Sequence, residues 1–172
     1  MMMRMIAAAG IAQLTDGLRT PDEDNPLGYA EFEAVKRTKE DPSWLARAPG
    51  KVVKLVHLLL KDLPPTHRYL VVMMHRDLDE VLASQRKMLE RSGKPGAQLP
   101  PESLKKIFTT QMQAVTAWVE SQPNFRILHV EYGDVLSDPL AQATRIAGFI
   151  GVPGLSDRMA AAVEPTLYRN RK

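Results

Sequence analysis

The chain has 172 residues, 44% of them hydrophobic and 25% charged, with a formal net charge of +3 and no cysteine. A single globular domain of this size buries about 70% of its unfolded surface, and the missing thiols exclude disulfides and thiolate metal sites, as suits a reducing, cytoplasmic setting. Lys and Arg are scattered rather than massed, which argues against a nucleic-acid groove, and no apolar run nears the ~20 residues of a membrane span.

The opening MMMRMIAAAG predicts a helix over Met1–Ala9 closed by Gly10; its apolar part is too short, and its single Arg too weak, for a signal peptide. After Ile11–Leu14 comes a polar loop, TDGLRTPDEDNPLG, whose Pro, Gly, Asp and Asn forbid regular structure. A loop of that length is a candidate for function. Asn25-Pro26-Leu27-Gly28-Tyr29 with Glu31 and Glu33 reads either as the lining of an acceptor pocket under a lid or as a plain turn with an acidic flank. Glu31–Thr38 predicts a helix, and Asp41-Pro42 starts a second short one carrying Trp44 and Leu45, with Pro at its first position.

Lys51–Leu60, KVVKLVHLLL, reads as a buried strand ended by Leu63-Pro64-Pro65. His67–Met74 is the next strand, and its near-continuous apolar character suits a parallel sheet covered on both faces. Asp77 and Glu80 read as a capping pair for a helix over Leu78–Arg91. Pro101–Ser121 carries Leu104, Ile107, Phe108, Met112, Val115 and Val119 on one helical stripe. Phe125–Val130 is a third strand; Asp138-Pro139 opens a helix through Ile150, with Ile146, Phe149 and Ile150 facing inward and Gly151 at its end. A last helix is expected over Ser156–Val163, before a basic tail. Strands separated by helices give an α/β domain with a mostly parallel sheet flanked by helices. Three strands are few for such a domain.

YLVVMMHRDLDEVLAS, Tyr69–Ser84, is the most informative stretch. It puts Arg76 at the carboxyl end of a strand, where open α/β sheets bind ligands, and its planar fork of donors suits phosphate. Ser84 adds a hydroxyl two turns into the helix. The bland alternative for Arg76 is an ion pair with Asp77, Asp79 or Glu80. His75 reads as capping the strand end. His67 and His129 have no metal-ligand spacing with any paired His, and Met73, Met74 and Met88 read as core filling.

MHRDLDEVLAS and the downstream VEYGDVLSDPLAQATRIAGFIGVP resemble the sulfotransferase family, whose donor is 3′-phosphoadenosine 5′-phosphosulfate; the likeness runs from about Lys51 to Pro153. The resemblance implies a P-loop-type α/β fold in which Arg76 and Ser84 grip the donor's 3′-phosphate, with Arg169 and Arg171 of Arg169-Asn170-Arg171 as a loose counterpart of a further phosphate contact near the C-terminus. It implies a small-molecule or other hydroxyl-bearing acceptor, with steroid, phenol, carbohydrate, lipid and peptide tyrosine all open, and no metal. Cytosolic members carry Lys-Thr-His at a strand end; Lys54-Leu55-Val56-His57 matches the Lys and displaces the His by one. In a strand that shift moves His57 to the other face, so it serves as base only where the strand ends or bulges. A carboxylate in the Asp22–Asn25 loop is the other candidate base. Without the resemblance, His57 reads as a packed strand histidine and Lys54 as a stem lying along the sheet.

The family also begins with a strand and a loop of the form Gly-x-Pro-Arg-Ser-Gly-Thr, which cradles the 5′-phosphosulfate on backbone amides. This chain has no such segment, and MMMRMIAAAGI resembles the helix that follows it. The expectation is an N-terminally truncated sulfotransferase-like domain that binds donor weakly and turns over negligibly. The alternatives are a non-catalytic nucleotide-binding relative and, less well supported, a P-loop kinase. The kinase needs a Walker Lys and magnesium carboxylates, which the sequence does not show.

Overall fold

A computed structural model describes residues 1–22, 25–91, 93 and 99–165. Its elements in chain order are α1 (Met2–Ala8), 3₁₀ turns at Glu33–Arg37, Ser43–Arg47 and His57–Asp62, β1 (Tyr69–His75), α2 (Leu78–Arg91), α3 (Pro101–Glu120), β2 (Phe125–Glu131), α4 (Tyr132–Ser137), α5 (Pro139–Ile150), a 3₁₀ turn at Pro153–Leu155 and α6 (Ser156–Ala161). The architecture is α/β: a small parallel sheet between helices.

β1 and β2 pair in parallel from Tyr69↔Phe125 to His75↔Glu131. Strand side chains alternate between faces, and both faces are covered, which is why the strands read as continuous apolar runs. Tyr69, Val71, Met73, Phe125 and Ile127 enter one core, with Val115 and Val119 of α3, Phe32, Trp44 and Leu60. Val72, Met74, Leu128 and Val130 enter a second, with Met5, Ile6, Ala143, Ile146 and Met159 from α1, α5 and α6.

Local chemistry fixes the ends. Asp138 Oδ1 accepts from the Ala141 amide at 3.0 Å, Pro139 sits in the first turn, and Gly151 takes φ +83° to close α5, the expected N-cap and C-cap devices. The amino-terminal helix closes at Gly10, also at φ +83°. Trp44 Nε1 donates to buried Thr38 Oγ1 at 3.0 Å, and that hydroxyl donates to the Val35 carbonyl at 2.6 Å. The bonds lock two 3₁₀ turns together where full helices were expected over Glu31–Thr38 and after Asp41.

The main correction concerns Lys51–Leu60. Only Val52 pairs, through one parallel bridge to Gln13; from His57 the chain winds into a 3₁₀ turn. A short apolar run does not distinguish strand from helix, and Leu-Leu-Leu lacks the β-branching that holds Val52 and Val53 extended. Val56 (61% exposed) and Leu58 (46%) are not buried. α4 is a helix that was not expected, and Ile107, expected on the core stripe of α3, is 41% exposed. No helix among the described residues is long and apolar enough to cross a membrane.

The two cores predict unequal costs along the helices. Ile146→Ala, at a site with no exposure, should lose about 2–5 kcal/mol in urea unfolding; Ile107→Ala should lose well under half of that.

Candidate functional site

A cleft of about 1200 Å³ opens beside the sheet, lined by residues of α1, the 15–30 loop, the 51–57 segment and β1. In the parallel ladder Tyr69 donates to Asn124 O, so alternate residues Leu70, Val72 and Met74 turn their backbone groups away from β2. These residues line the cleft, as do Val53 and Leu55 on its opposite side. None of the five makes a backbone hydrogen bond outside the strand pairing among the described residues. Two bare backbone edges therefore border one space.

Among the described residues, the charged side chains that line the cleft are Arg4, Arg19, Lys51, Lys54 and Arg68, with Glu31 paired to both Arg19 and Lys54 and Glu164 3.9 Å from Arg4. Burial, then the positive charges of Arg4 and Lys54, hold the amino group of Met1 below its usual pKa. Five described cations against the two carboxylates paired with them leave an excess of positive charge, and a concave lining of that kind concentrates counter-ions, so the cleft favours an anion.

Lys54 and His57 line this same cleft. The strand argument against His57 does not apply, because the extended segment stops at Val56 and His57 opens a turn. Burial lowers the pKa of His57, opposed by the polar side chain of Gln111 on α3. The His57 Nε2 is buried without a partner. A neutral imidazole with an unpartnered nitrogen keeps the lone pair a proton acceptor requires, and here that nitrogen is shielded from solvent.

Lys54 is anchored rather than adrift. Its Nζ lies 3.2 Å from the Tyr29 carbonyl and 3.2 Å from Glu31 Oε1. Two such acceptors from neighbouring residues meet one ammonium because Ala30 between them adopts φ +48°, the only non-glycine residue at positive φ among those described. That conformation is costly for a residue with a Cβ, and such strain clusters at functional positions. Arg19 also pairs with Glu31, at 3.3 Å, and stacks 3.3 Å over the Tyr29 ring, whose hydroxyl reaches both Asp22 carboxylate oxygens at 2.7 Å. Glu31, Tyr29 and Arg19 were not singled out as Lys54's partners in the sequence reading; the length of their loop was the available signal.

At the carboxyl end of β1 the picture is different. Arg76 Nε donates to Glu80 Oε2 at 3.0 Å, with the carboxylate side chain only 8% exposed, and the guanidinium carbon lies 4.8 Å from the Tyr132 ring centroid. The Glu80 ion pair is thus present. Asp77, expected to cap α2 together with Glu80, accepts from the Asp79 and Glu80 amides at 2.8 and 3.3 Å, and the Glu80 side chain also bonds Arg76. Ser84 stands one turn beyond Glu80, and i, i+4 spacing puts it on the same helix face. Neither Arg76 nor Ser84 is among the cleft's lining residues. His75, read as a strand cap, hydrogen-bonds His129. Arg169 and Arg171 lie outside the described residues. Among the described residues no group of three potential metal ligands occurs.

Both His57 and His75 have pKa values lowered chiefly by burial. The unfolded chain, with histidines near 6.5, then takes up these protons first. Stability from the two rings is full above about pH 6.5 and is lost as pH falls through the lower folded values. The histidine part of the change in urea midpoint should appear between pH 7 and pH 5, and His57→Gln should shrink that drop.

The family model described as "Sulfotransferase family" matches residues 8–157. No curated protein and no solved structure gives a significant match.

Proposed function

The chain belongs to the sulfotransferase family, and from that premise we propose that it serves transfer of a sulfuryl group from 3′-phosphoadenosine 5′-phosphosulfate to a hydroxyl acceptor. The supporting observation is the joint placement of Lys54 and His57 on a cleft where cations predominate among the described charged residues.

In this reading His57 Nε2 takes the proton of the acceptor hydroxyl, whose oxygen attacks sulfur. The bond from sulfur to the 5′-phosphate oxygen breaks, and adenosine 3′,5′-bisphosphate leaves with the electron pair. Sulfuryl transfer resembles phosphoryl transfer, where positioning and charge stabilisation supply most of the catalysis. Lys54, exchanging Glu31 for the donor, offsets charge on the transferring oxygens. Arg76 and Ser84 hold the 3′-phosphate at the sheet's carboxyl end, and Arg169 and Arg171 add cations from the tail.

The 5′-phosphosulfate needs a cradle of backbone amides, and the chain has no Gly-rich segment of the family's form. The bare edges at the cleft are those a further strand bearing such a loop would pair with, so turnover by these 172 residues alone should be very low.

Calorimetry with adenosine 3′,5′-bisphosphate tests the phosphate site. Arg76→Ala should lose at least about 1.5 kcal/mol of binding, and Arg47→Ala, whose guanidinium lies over Phe32, should change little. Equal affinities for wild type and Arg76→Ala retire the assignment. In a transfer assay on a chain carrying the added strand and loop, His57→Ala should cost about 10²-fold or more in kcat; unchanged kcat moves the base elsewhere.

A further inference from the structure

His75 is the last residue of β1 and His129 stands on β2, paired in register with Met73. Both rings project from the face that carries Met73 and Ile127, and both are half-buried. His75 Nε2 and His129 Nδ1 are 2.7 Å apart, with ring centroids at 5.0 Å and planes at 32°. That is a short imidazole–imidazole hydrogen bond, and it restricts the protons the pair can hold.

With both rings neutral, one nitrogen of the contact donates and the other accepts. A first added proton goes to the outer nitrogen of the donor ring, and the contact survives as a charge-assisted bond. A second proton places a hydrogen on both inner nitrogens, and 2.7 Å does not accommodate two facing donors. The charged neighbours come from every element around the pair. Glu131 of β2 lies opposite His75 in the ladder and favours its cation. Arg76 follows His75 in the chain and is held by Glu80 of α2. Arg145 of α5 donates to the His129 carbonyl at 3.4 Å. Glu131 thus favours one imidazolium of the pair, on His75.

We propose that His75 and His129 form a proton-sharing latch that stays closed with up to one added proton and opens with the second, displacing the adjoining Arg76 from its place on Glu80. Arg76 moves because no residue separates it from His75, so a shift of the strand end is carried directly into its backbone. The latch makes the geometry of the sheet's carboxyl end a function of pH, whatever ligand binds there.

The test is NMR of the isotopically labelled full chain from pH 8 to 4.5, following the ring signals of His75 and His129 and the Nε–Hε signal of Arg76. The two rings should titrate together in two steps whose proton affinities differ at least tenfold, the signature of coupled sites, and the Arg76 signal should follow the second step alone. In His129→Phe, His75 should titrate in one step with the Arg76 signal no longer following; His129→Gln gives the same readout if the Phe variant does not fold. Independent one-step curves for the two wild-type rings, or an Arg76 signal that stays flat through the second step, overturn the proposal. Loss of the whole backbone amide spectrum with the second proton overturns it too, because the latch requires a local opening.

Discussion

The parallel ladder between Tyr69–His75 and Phe125–Glu131 is the constraint from which the remaining geometry follows. A parallel pair buries both faces, so helices must be supplied on each side, and the two cores divide between them by strand parity. Parallel pairing also brings the carboxyl ends of both strands to one edge. His75-Arg76 and Glu131-Tyr132, far apart in the chain, become neighbours there, which is how Arg76 comes to face the Tyr132 ring and His75 to meet His129.

Two chemically distinct regions result. One is the cleft, where Lys54 and His57 sit among cations and apolar side chains. The other is the sheet's carboxyl end, where Arg76 is tied to a nearly buried carboxylate. Breaking a buried pair leaves the surviving charge unpaired at a cost of several kcal/mol, so Glu80 holds the guanidinium in one orientation as well as competing for its charge. Lys54 is in a comparable but wetter situation, held by Glu31 and the Tyr29 carbonyl at 45% side-chain exposure; an anion exchanges with such a partner at much smaller cost.

Much of this was legible in the residues. The bounds of Leu78–Arg91 follow from a helix-period pattern starting at Asp77, and Pro139 with Gly151 marks both ends of α5. Arg76 at a strand end and its i, i+4 pairing with Glu80 are local facts that sequence spacing carries. His57 was not readable in this way: whether it faces the cleft depends on where an apolar run stops being extended, and KVVKLVHLLL holds no turn residue to mark the place. The partners were harder still. Lys54 meets Glu31 from 23 positions away and His75 meets His129 from 54, and no periodicity within one element encodes contacts that exist only after the strands pair.

The bare edge of β1 has a consequence for handling the protein. Natural sheets guard such edges with charge, proline or a covering loop, but Leu70, Val72 and Met74 present aliphatic side chains, and Leu70 is 48% exposed. A row of amides and carbonyls unpaired among the described residues, on an apolar strand, is a template for any passing extended segment, including one from a neighbouring molecule during refolding. Aggregation of this chain should therefore begin at that strand rather than at the well-covered helices, and dilute, rapid refolding is the regime in which it stays monodisperse.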